Sequence, residues 1–179
     1  MTYDRELHHR QSIRWQEHDY AASGTYFVTI CTADRACLFG DVLDSETRVN
    51  ALGRIVEDEW VRTGVVRPEV VIDVFVVMPN HLHGFVTLRP DESRQDPGAN
   101  MAQGDAALRR PPRSLGSMIA AFKQVTTVRI NEVRGTPGAS IWQRGYHDRV
   151  VRDGDEFDRI AEYIVTNPDR WEHDGLFPL

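Results

Sequence analysis

Residues Glu69–Leu88 read EVVIDVFVVMPNHLHGFVTL. Both halves of this stretch are rich in β-branched and aromatic residues, and the dipeptide Pro79-Asn80 between them is a turn signal. The stretch therefore predicts two strands, Glu69–Met78 and His81–Leu88, that form a hairpin. This hairpin is the centre from which the rest of the fold is predicted.

Five more elements are predicted, two before the hairpin and three after it. Aromatic and β-branched runs favour strands, and apolar residues that recur every three or four positions favour helices. The predicted elements are a strand at Thr25–Thr32, a helix at Asp44–Gly64, a helix at Ser114–Gly135 capped by Ser114, a short strand within Ser140–Val151 and a helix from Asp153 to near Pro168. The first six elements follow the split β-α-β order, so we expect an α+β, ferredoxin-like (RRM-like) fold with a central antiparallel sheet.

The length of 179 residues favours a single domain that covers residues 1–179. Polar residues predict an N-terminal arm at 1–23, and a stretch rich in Pro, Gly, Asp and Arg predicts a flexible loop at about 90–112. No apolar run has the length of a membrane span, and the first residues lack the apolar core of a signal peptide. We therefore expect a cytoplasmic protein that does not associate with membranes.

The charge is unevenly distributed along the chain. The formal net charge is −6, which is unlike a nonspecific nucleic-acid-binding protein. The segment Ala106–Arg152, however, contains nine basic and two acidic residues, a net charge of +7, so the rest of the chain carries −13. Such asymmetry predicts a face that binds a polyanion, and a solvated helix face with a loop is an equally good interpretation on charge alone.

His81 and His83 are the first candidate site residues. Residues two apart in a strand point to the same face, so the two imidazoles stand side by side and can each give one nitrogen to a metal ion. Most His-x-His pairs are chance or surface pairs. The position of this one on a central strand favours a partner, because burying two histidines without one is costly.

The last predicted helix offers two more candidates. Tyr163 and Asn167 are four residues apart and lie on one face, at the edge of the apolar stripe. A tyrosine hydroxyl there can reach a cleft, and the amide oxygen of Asn167 can bind a metal. The alternatives are that Tyr163 only packs and that Asn167 only ends the helix before Pro168. Two histidines and an amide oxygen favour Mg²⁺ or Mn²⁺ over structural zinc.

The motif MPNHLHG, Met78–Gly84, resembles the His-hydrophobic-His motif of single-tyrosine HUH transposases. The likeness extends to the REP-associated tyrosine transposases, and it covers most of the chain from about Ser12 to Asp174 apart from the loop at about 90–112. The similar stretches, in the same order, are SIRWQEHDYAASGTYFVTICTADRACLFGDV, FVVMPNHLHG, SLGSMIAAFKQVTTVRINEVRGTPGASIWQRGYHDRVVRD and RIAEYIVTNPDRWEHD.

The resemblance implies a ferredoxin-like domain that binds single-stranded or hairpin (REP-type) DNA, and cuts and rejoins one strand without a nucleotide cofactor. It assigns His81, His83 and Asn167 as ligands of a divalent Mg²⁺ or Mn²⁺, and Tyr163, on the C-terminal helix, as the nucleophile. Attack by Tyr163 on a phosphodiester would leave a 5′-phosphotyrosine and a free 3′-OH. Relatives often carry a histidine where this chain has Arg149, so the resemblance is incomplete there.

Contacts to DNA are expected from the basic segment. The candidate residues are Arg109, Arg110, Arg113, Lys123, Gln124, Arg129, Arg144, Arg149 and Arg152. Trp142 and Tyr146 are candidates for stacking on unpaired bases, although aromatic residues near a strand more often belong to the core.

Several functions are compatible with these residues. An active transposase, that is, a strand transferase and endonuclease, is favoured, and a noncatalytic, domesticated DNA-hairpin-binding protein is the alternative. An RNA-binding module would need an aromatic RNP-like motif, which is not evident. A metal phosphodiesterase would hydrolyse DNA without a covalent link to the protein. We expect a nucleoid-associated monomer, with a dimer as the alternative.

Overall fold

The structure is a computed structural model that describes residues 23–89 and 113–177. The predicted N-terminal arm and the loop at about 90–112 lie outside the described residues, apart from Ser23. The strands are β1 Gly24–Cys31, β2 Gly40–Leu43, β3 Glu46–Val49, β4 Val70–Met78, β5 His81–Leu88 and β6 His147–Val150. The α-helices are α1 Ala51–Val66, α2 Leu115–Arg134 and α3 Gly154–Val165, and short 3₁₀ helices occupy Ala33–Arg35 and Pro168–His173.

Four strands form the central sheet in the order β4-β5-β1-β6, and every neighbouring pair is antiparallel. Strand β5 lies between β4 and β1, so the β1-α1-β4 unit is split by a strand that comes later in the chain. The β5-α2-β6 unit is split in turn by β1, a strand that comes earlier in the chain. The predicted α+β, ferredoxin-like architecture with a central antiparallel sheet is confirmed.

One face of the sheet packs against α1 and α2. Val28, Ile30 and Leu82 point to this face and are fully buried. The rings of Trp60 on α1 and Phe122 on α2 lie 5.0 Å apart at 77° and fill the space between helices and sheet. The hydrophobic core is therefore on this face, which leaves the opposite face of the sheet for α3.

Gly84 allows α1 to approach β5 closely. A Cβ atom built on Gly84 would lie 2.9 Å from Cβ of Phe75 and 3.3 Å from the Trp60 indole. Only glycine fits between these side chains without displacing one of them. The glycine that follows the histidine pair is thus explained by packing on the face opposite the histidines.

The predicted helix Asp44–Gly64 is wrong at both ends. Its first residues form β3, which pairs with β2, and the helix begins after Asn50, whose Oδ1 accepts hydrogen bonds from the backbone N–H groups of Leu52 and Gly53. The helix continues past Gly64 to Val66. It ends where Pro68 forces Arg67 into an extended conformation, at φ −121° and ψ 95°.

The later elements agree with the sequence more closely. Helix α2 begins after Ser114, whose Oγ accepts a hydrogen bond from the Ser117 N–H, and ends at Gly135 in the left-handed conformation at φ 64°. The strand predicted within Ser140–Val151 is limited to β6 and an isolated bridge between Thr32 and Trp142. None of the helices among the described residues has the length and apolar character needed to span a membrane.

Candidate active site and metal centre

The candidate site lies on the face of the sheet that is covered by α3. Alternation along β5 turns Leu82 into the core and places His81 and His83 together on the other face, with ring centroids 4.4 Å apart. Phe157 on α3 stacks on Phe85 of β5 at 4.3 Å, and this contact fixes the helix over the strand.

Both histidines use Nδ1 to contact a neighbouring side chain. Nδ1 of His81 is 2.8 Å from Oδ1 of Asn80, and Nδ1 of His83 is 2.8 Å from Oγ1 of Thr29 on β1. Nε2 of each ring is therefore the nitrogen available to the site. A metal-binding histidine is typically held in this way by a partner on its other nitrogen.

Burial keeps both imidazoles neutral. It lowers the pKa of His81 to about 3, and the adjacent Asn167 side chain opposes this shift. It lowers the pKa of His83 to about 3 as well, with a further contribution from His81. A neutral imidazole presents a lone pair, which is what a metal ligand requires.

Tyr163 on α3 extends over the histidines. Its Oη is 3.3 Å from Nε2 of His83, and its ring packs edge-on against Phe27 at 6.1 Å. Burial and then the Asp174 carboxylate raise the pKa of the phenol, whereas Asn167 and Arg170 lower it. The hydroxyl is thus protonated at neutral pH in the free site, and a nearby positive charge would favour the phenolate.

Asn167 follows the end of α3 and is fully buried. Its Nδ2 donates a hydrogen bond to Oδ2 of Asp174 at 3.1 Å. Its Oδ1 and Nε2 of His81 are both buried, and neither has a hydrogen-bond partner among the described residues. Unsatisfied buried polar atoms are costly, and two acceptors in one site are satisfied together by a cation.

Asp174 is a residue that the sequence analysis missed. Its carboxylate offers a third ligand atom, which lies within 4.8 Å of one nitrogen each of His81 and His83, as in a metal site. Asp174 follows a 3₁₀ helix at a position with no periodic relation to the histidines or to Tyr163, and no sequence signal identifies it. Imidazole nitrogen, amide oxygen and carboxylate oxygen together suit a divalent ion such as Mn²⁺ or Mg²⁺.

A cleft of about 290 Å³ opens beside Tyr163. Its lining residues are Tyr163, Asn167, Asp169, Arg170, His173, Asp174 and Gly175. Arg170 is exposed, and its side chain forms no ion pair with any residue that the structure describes. The cleft connects the tyrosine hydroxyl to solvent beside a cationic side chain.

Three of the predicted DNA-binding residues are engaged with other parts of the protein. Lys123 donates hydrogen bonds to the backbone carbonyls of Gln143 and Gly145. Arg129 forms an ion pair with the buried Glu59 at 2.6 Å. Arg149 forms an ion pair with Glu156 at the start of α3.

Of the other candidates for DNA contact, four are exposed and two are not described by the structure. Arg113, Gln124, Arg144 and Arg152 are exposed, whereas Arg109 and Arg110 lie outside the described residues. Trp142, a candidate for base stacking, is a core residue at 6% exposure, and its Nε1 donates a hydrogen bond to Oγ1 of Thr126 at 2.9 Å. The alternative given for Trp142, that it belongs to the core, is confirmed, and base stacking by this residue is contradicted. Contact of the basic residues with DNA stays a prediction.

Comparisons with known proteins find a similar protein and similar solved structures, whereas no protein-family model matches the chain. An uncharacterized protein of Haemophilus influenzae is 34% identical over 179 residues, which cover 98% of this chain and 97% of the relative. The solved structure of a REP-associated tyrosine transposase bound to a REP hairpin is 17% identical, with a TM-score of 0.55 over 92% of this chain and 89% of the other. The first similarity is one of family, and the second is one of fold.

Proposed function

We propose that this chain is a metal-dependent transposase that acts on single-stranded or hairpin DNA. The chain belongs to the same family as the Haemophilus influenzae protein, and it has the fold of a REP-associated tyrosine transposase. One observation carries the proposal. The hydroxyl of Tyr163 lies 3.3 Å from His83 Nε2, beside two buried acceptors, Nε2 of His81 and Oδ1 of Asn167, that have no hydrogen-bond partner in the described part of the chain. A nucleophile next to a site for a cation is the arrangement that phosphoryl transfer requires.

The proposed reaction exchanges one phosphoester for another. The phenolic oxygen of Tyr163 forms a bond to phosphorus, and the bond from phosphorus to the 3′ oxygen breaks. The phenolic proton is released, and the departing 3′ oxygen takes up a proton. The products are a 5′-phosphotyrosine and a free 3′-OH, and attack by a 3′-OH on the phosphotyrosine reverses the step without an energy source.

The chain's own side chains would prepare this step by position and charge. His81, His83, Asn167 and Asp174 would hold the divalent ion, which supplies charge neutralisation at the scissile phosphate. Arg170 lines the same cleft as Tyr163 and offers a cation to a phosphate oxygen. The carboxylates of Asp169 and Asp174 line it too, so the bound ion is needed to offset their repulsion of DNA.

The experiment that tests this function is a search for the covalent intermediate. The protein is incubated with labelled single-stranded DNA that carries hairpins from the flanks of its own gene, with Mn²⁺ or Mg²⁺, and run on a denaturing gel. We expect a protein–DNA adduct that disappears with EDTA, in Tyr163→Phe and in His81→Ala, whereas Tyr163→Phe still binds the hairpin. Tyr26→Phe removes a hydroxyl on the core face of the sheet and is the matched control.

The other outcomes identify the alternatives. Hairpin binding without an adduct, across both ions and several hairpins, would contradict strand transfer and indicate a noncatalytic binding protein. Metal-dependent cleavage with no link to the protein would indicate hydrolysis by water. An adduct that persists in Tyr163→Phe would mean that another residue is the nucleophile.

A further inference from the structure

The last described turn of the chain, Asp174–Phe177, contacts the site from outside the histidine and tyrosine motifs. Its Gly175 carbonyl accepts a hydrogen bond from the Arg35 guanidinium at 3.0 Å, and its Leu176 carbonyl accepts one from Nδ2 of Asn80 at 2.7 Å. The turn is closed internally, because Oδ1 of Asp174 accepts a hydrogen bond from the Leu176 N–H at 2.7 Å. It is therefore held against both the sheet end and the proposed metal centre.

These contacts determine which atom of the Asn80 amide faces His81. Asn80 is 1% exposed, and its Nδ2 donates to two backbone carbonyls, those of Arg35 and Leu176. Carbonyls accept hydrogen bonds and cannot donate them, so the amide oxygen must be the atom that faces Nδ1 of His81. That oxygen accepts the proton of Nδ1, and the lone pair of the neutral ring is consequently on Nε2, in the site.

The amide of Asn167 is oriented by its hydrogen bond to Asp174. The carboxylate of Asp174 only accepts hydrogen bonds, so it fixes the NH₂ group of Asn167 on its own side at 3.1 Å. The amide oxygen of Asn167 is thereby turned away from Asp174. It is consequently a buried acceptor for which the residues that the structure describes offer no hydrogen-bond donor.

We infer that the C-terminal turn Asp174–Phe177 is a positioning element of the metal centre, which acts on His81 through Asn80 and on Asn167 through Asp174. The inference rests on the proposed function, which makes a divalent ion the cofactor of this site. Asn80 and Asp174 are positioning residues in this role, and Asp174 is close enough to serve as a ligand as well. Without the turn, Asn80 Nδ2 would lose the shorter of its two hydrogen bonds and keep only the one to the Arg35 carbonyl. The Asn80 amide would then hold the proton on Nδ1 of His81 less firmly, and the Asn167 amide would be free to present NH₂ to the cation.

The first test uses the metal-free protein and needs neither DNA nor turnover. Long-range ¹⁵N NMR of the histidine side chains distinguishes the two neutral imidazole tautomers. We expect His81 to be the Nδ1–H tautomer in the wild-type protein and to populate the Nε2–H tautomer in Asn80→Ala. A wild-type His81 that carries its proton on Nε2 would overturn the inference, whether or not the variant folds.

The second test measures Mn²⁺ binding by isothermal titration calorimetry. Loss of a group that orients a metal ligand weakens binding by about 10- to 100-fold, and we expect this for Asn80→Ala. Asp174→Asn removes a proposed ligand as well as the orienting carboxylate, so we expect it to weaken binding at least as much. Glu172→Gln removes an exposed carboxylate from the 3₁₀ helix Pro168–His173, just before the turn, and is the matched control. Equal affinity of Asn80→Ala and wild type for Mn²⁺ would refute a positioning role.

The two tests separate this inference from the function on which it rests. A wild-type protein that binds no Mn²⁺ but holds His81 as the Nδ1–H tautomer would contradict the proposed metal-dependent function and still support orientation of the ring by the turn. Mn²⁺ binding together with the Nε2–H tautomer in the metal-free protein would support the metal site and contradict the positioning role.

Discussion

Substitution of Arg170 would test whether the scissile phosphate binds in the cleft beside Tyr163. It lines the cleft of Tyr163, and it lowers the pKa of that phenol against the larger effects of burial and Asp174. A cation there would stabilise charge that develops on the phosphate during attack. We expect Arg170→Gln to slow adduct formation on the order of 100-fold, measured in single-turnover reactions with saturating protein.

Arg159→Gln provides the comparison for this change. Arg159 is an exposed arginine of α3 whose Nε donates a hydrogen bond to the Asp155 carbonyl at 3.2 Å, and it does not line the cleft. Its exchange removes the same charge from the same region and should leave the rate within about twofold, because surface charges are screened by salt. Equal slowing by both changes would mean that net charge, and not a contact by Arg170, determines the rate.

At the scale of elements, the sequence predicted the strands and helices whose apolar pattern is continuous and missed a hairpin whose signal is weak. The strand His81–Leu88 has the predicted bounds, because its β-branched residues follow a clear turn. The β2–β3 hairpin has strands of four residues and a two-residue turn at Asp44-Ser45. Both turn residues have positive φ, at 53° and 62°, without the glycine that normally marks such a turn.

The start of α3 is the element boundary that matters most for the site, because Tyr163 lies on this helix and Asn167 directly after it. Oδ1 of Asp153 accepts a hydrogen bond from the Glu156 N–H at 2.8 Å. Glu156 in turn accepts hydrogen bonds from the backbone N–H of Arg152 and from the Arg149 guanidinium, so that the helix is fastened to β6. Arg149, the position at which the resemblance is incomplete, thus has a structural partner in this chain.

Removal of the Asp153 cap should weaken α3. We expect Asp153→Ala to lower the free energy of unfolding by about 1 kcal/mol, because the N–H of Glu156 loses its acceptor. The measurement is urea denaturation. Asp155→Ala, which removes an exposed carboxylate from the first turn without a capping bond, should cost less than about 0.5 kcal/mol. A larger loss in Asp155→Ala would show that charge near the helix end, and not the cap, is responsible.

At the scale of the whole molecule, the site combines parts of the chain that only the fold brings together. The spacing of His81 and His83 predicted that both side chains lie on one face of a strand. The spacing of Tyr163 and Asn167 predicted that both lie on one face of the last helix. That the two pairs face each other follows from the position of α3 over the sheet, which the resemblance implied and no local pattern encodes. Asp174 and its turn remained hidden because irregular backbone leaves no periodic signal.

An ion that joins β5, the end of α3 and the C-terminal turn should stabilise the entire fold, since it binds the folded chain and finds no preformed site in the unfolded one. At a Mn²⁺ concentration of 100 times Kd the gain is about 2.7 kcal/mol, or roughly 5–10 °C in Tm for a chain of this size. We expect this rise between EDTA and Mn²⁺ for the wild type and for His147→Ala, an exposed histidine of β6 that is not one of the proposed ligands. His83→Ala should show almost no rise in Tm, because the ion loses one of its ligands and the His81 ring loses its contact with the His83 ring. Melting curves followed by circular dichroism decide between these outcomes. An equal rise in His83→Ala would place the stabilising ion elsewhere on the protein and remove the support for this metal centre.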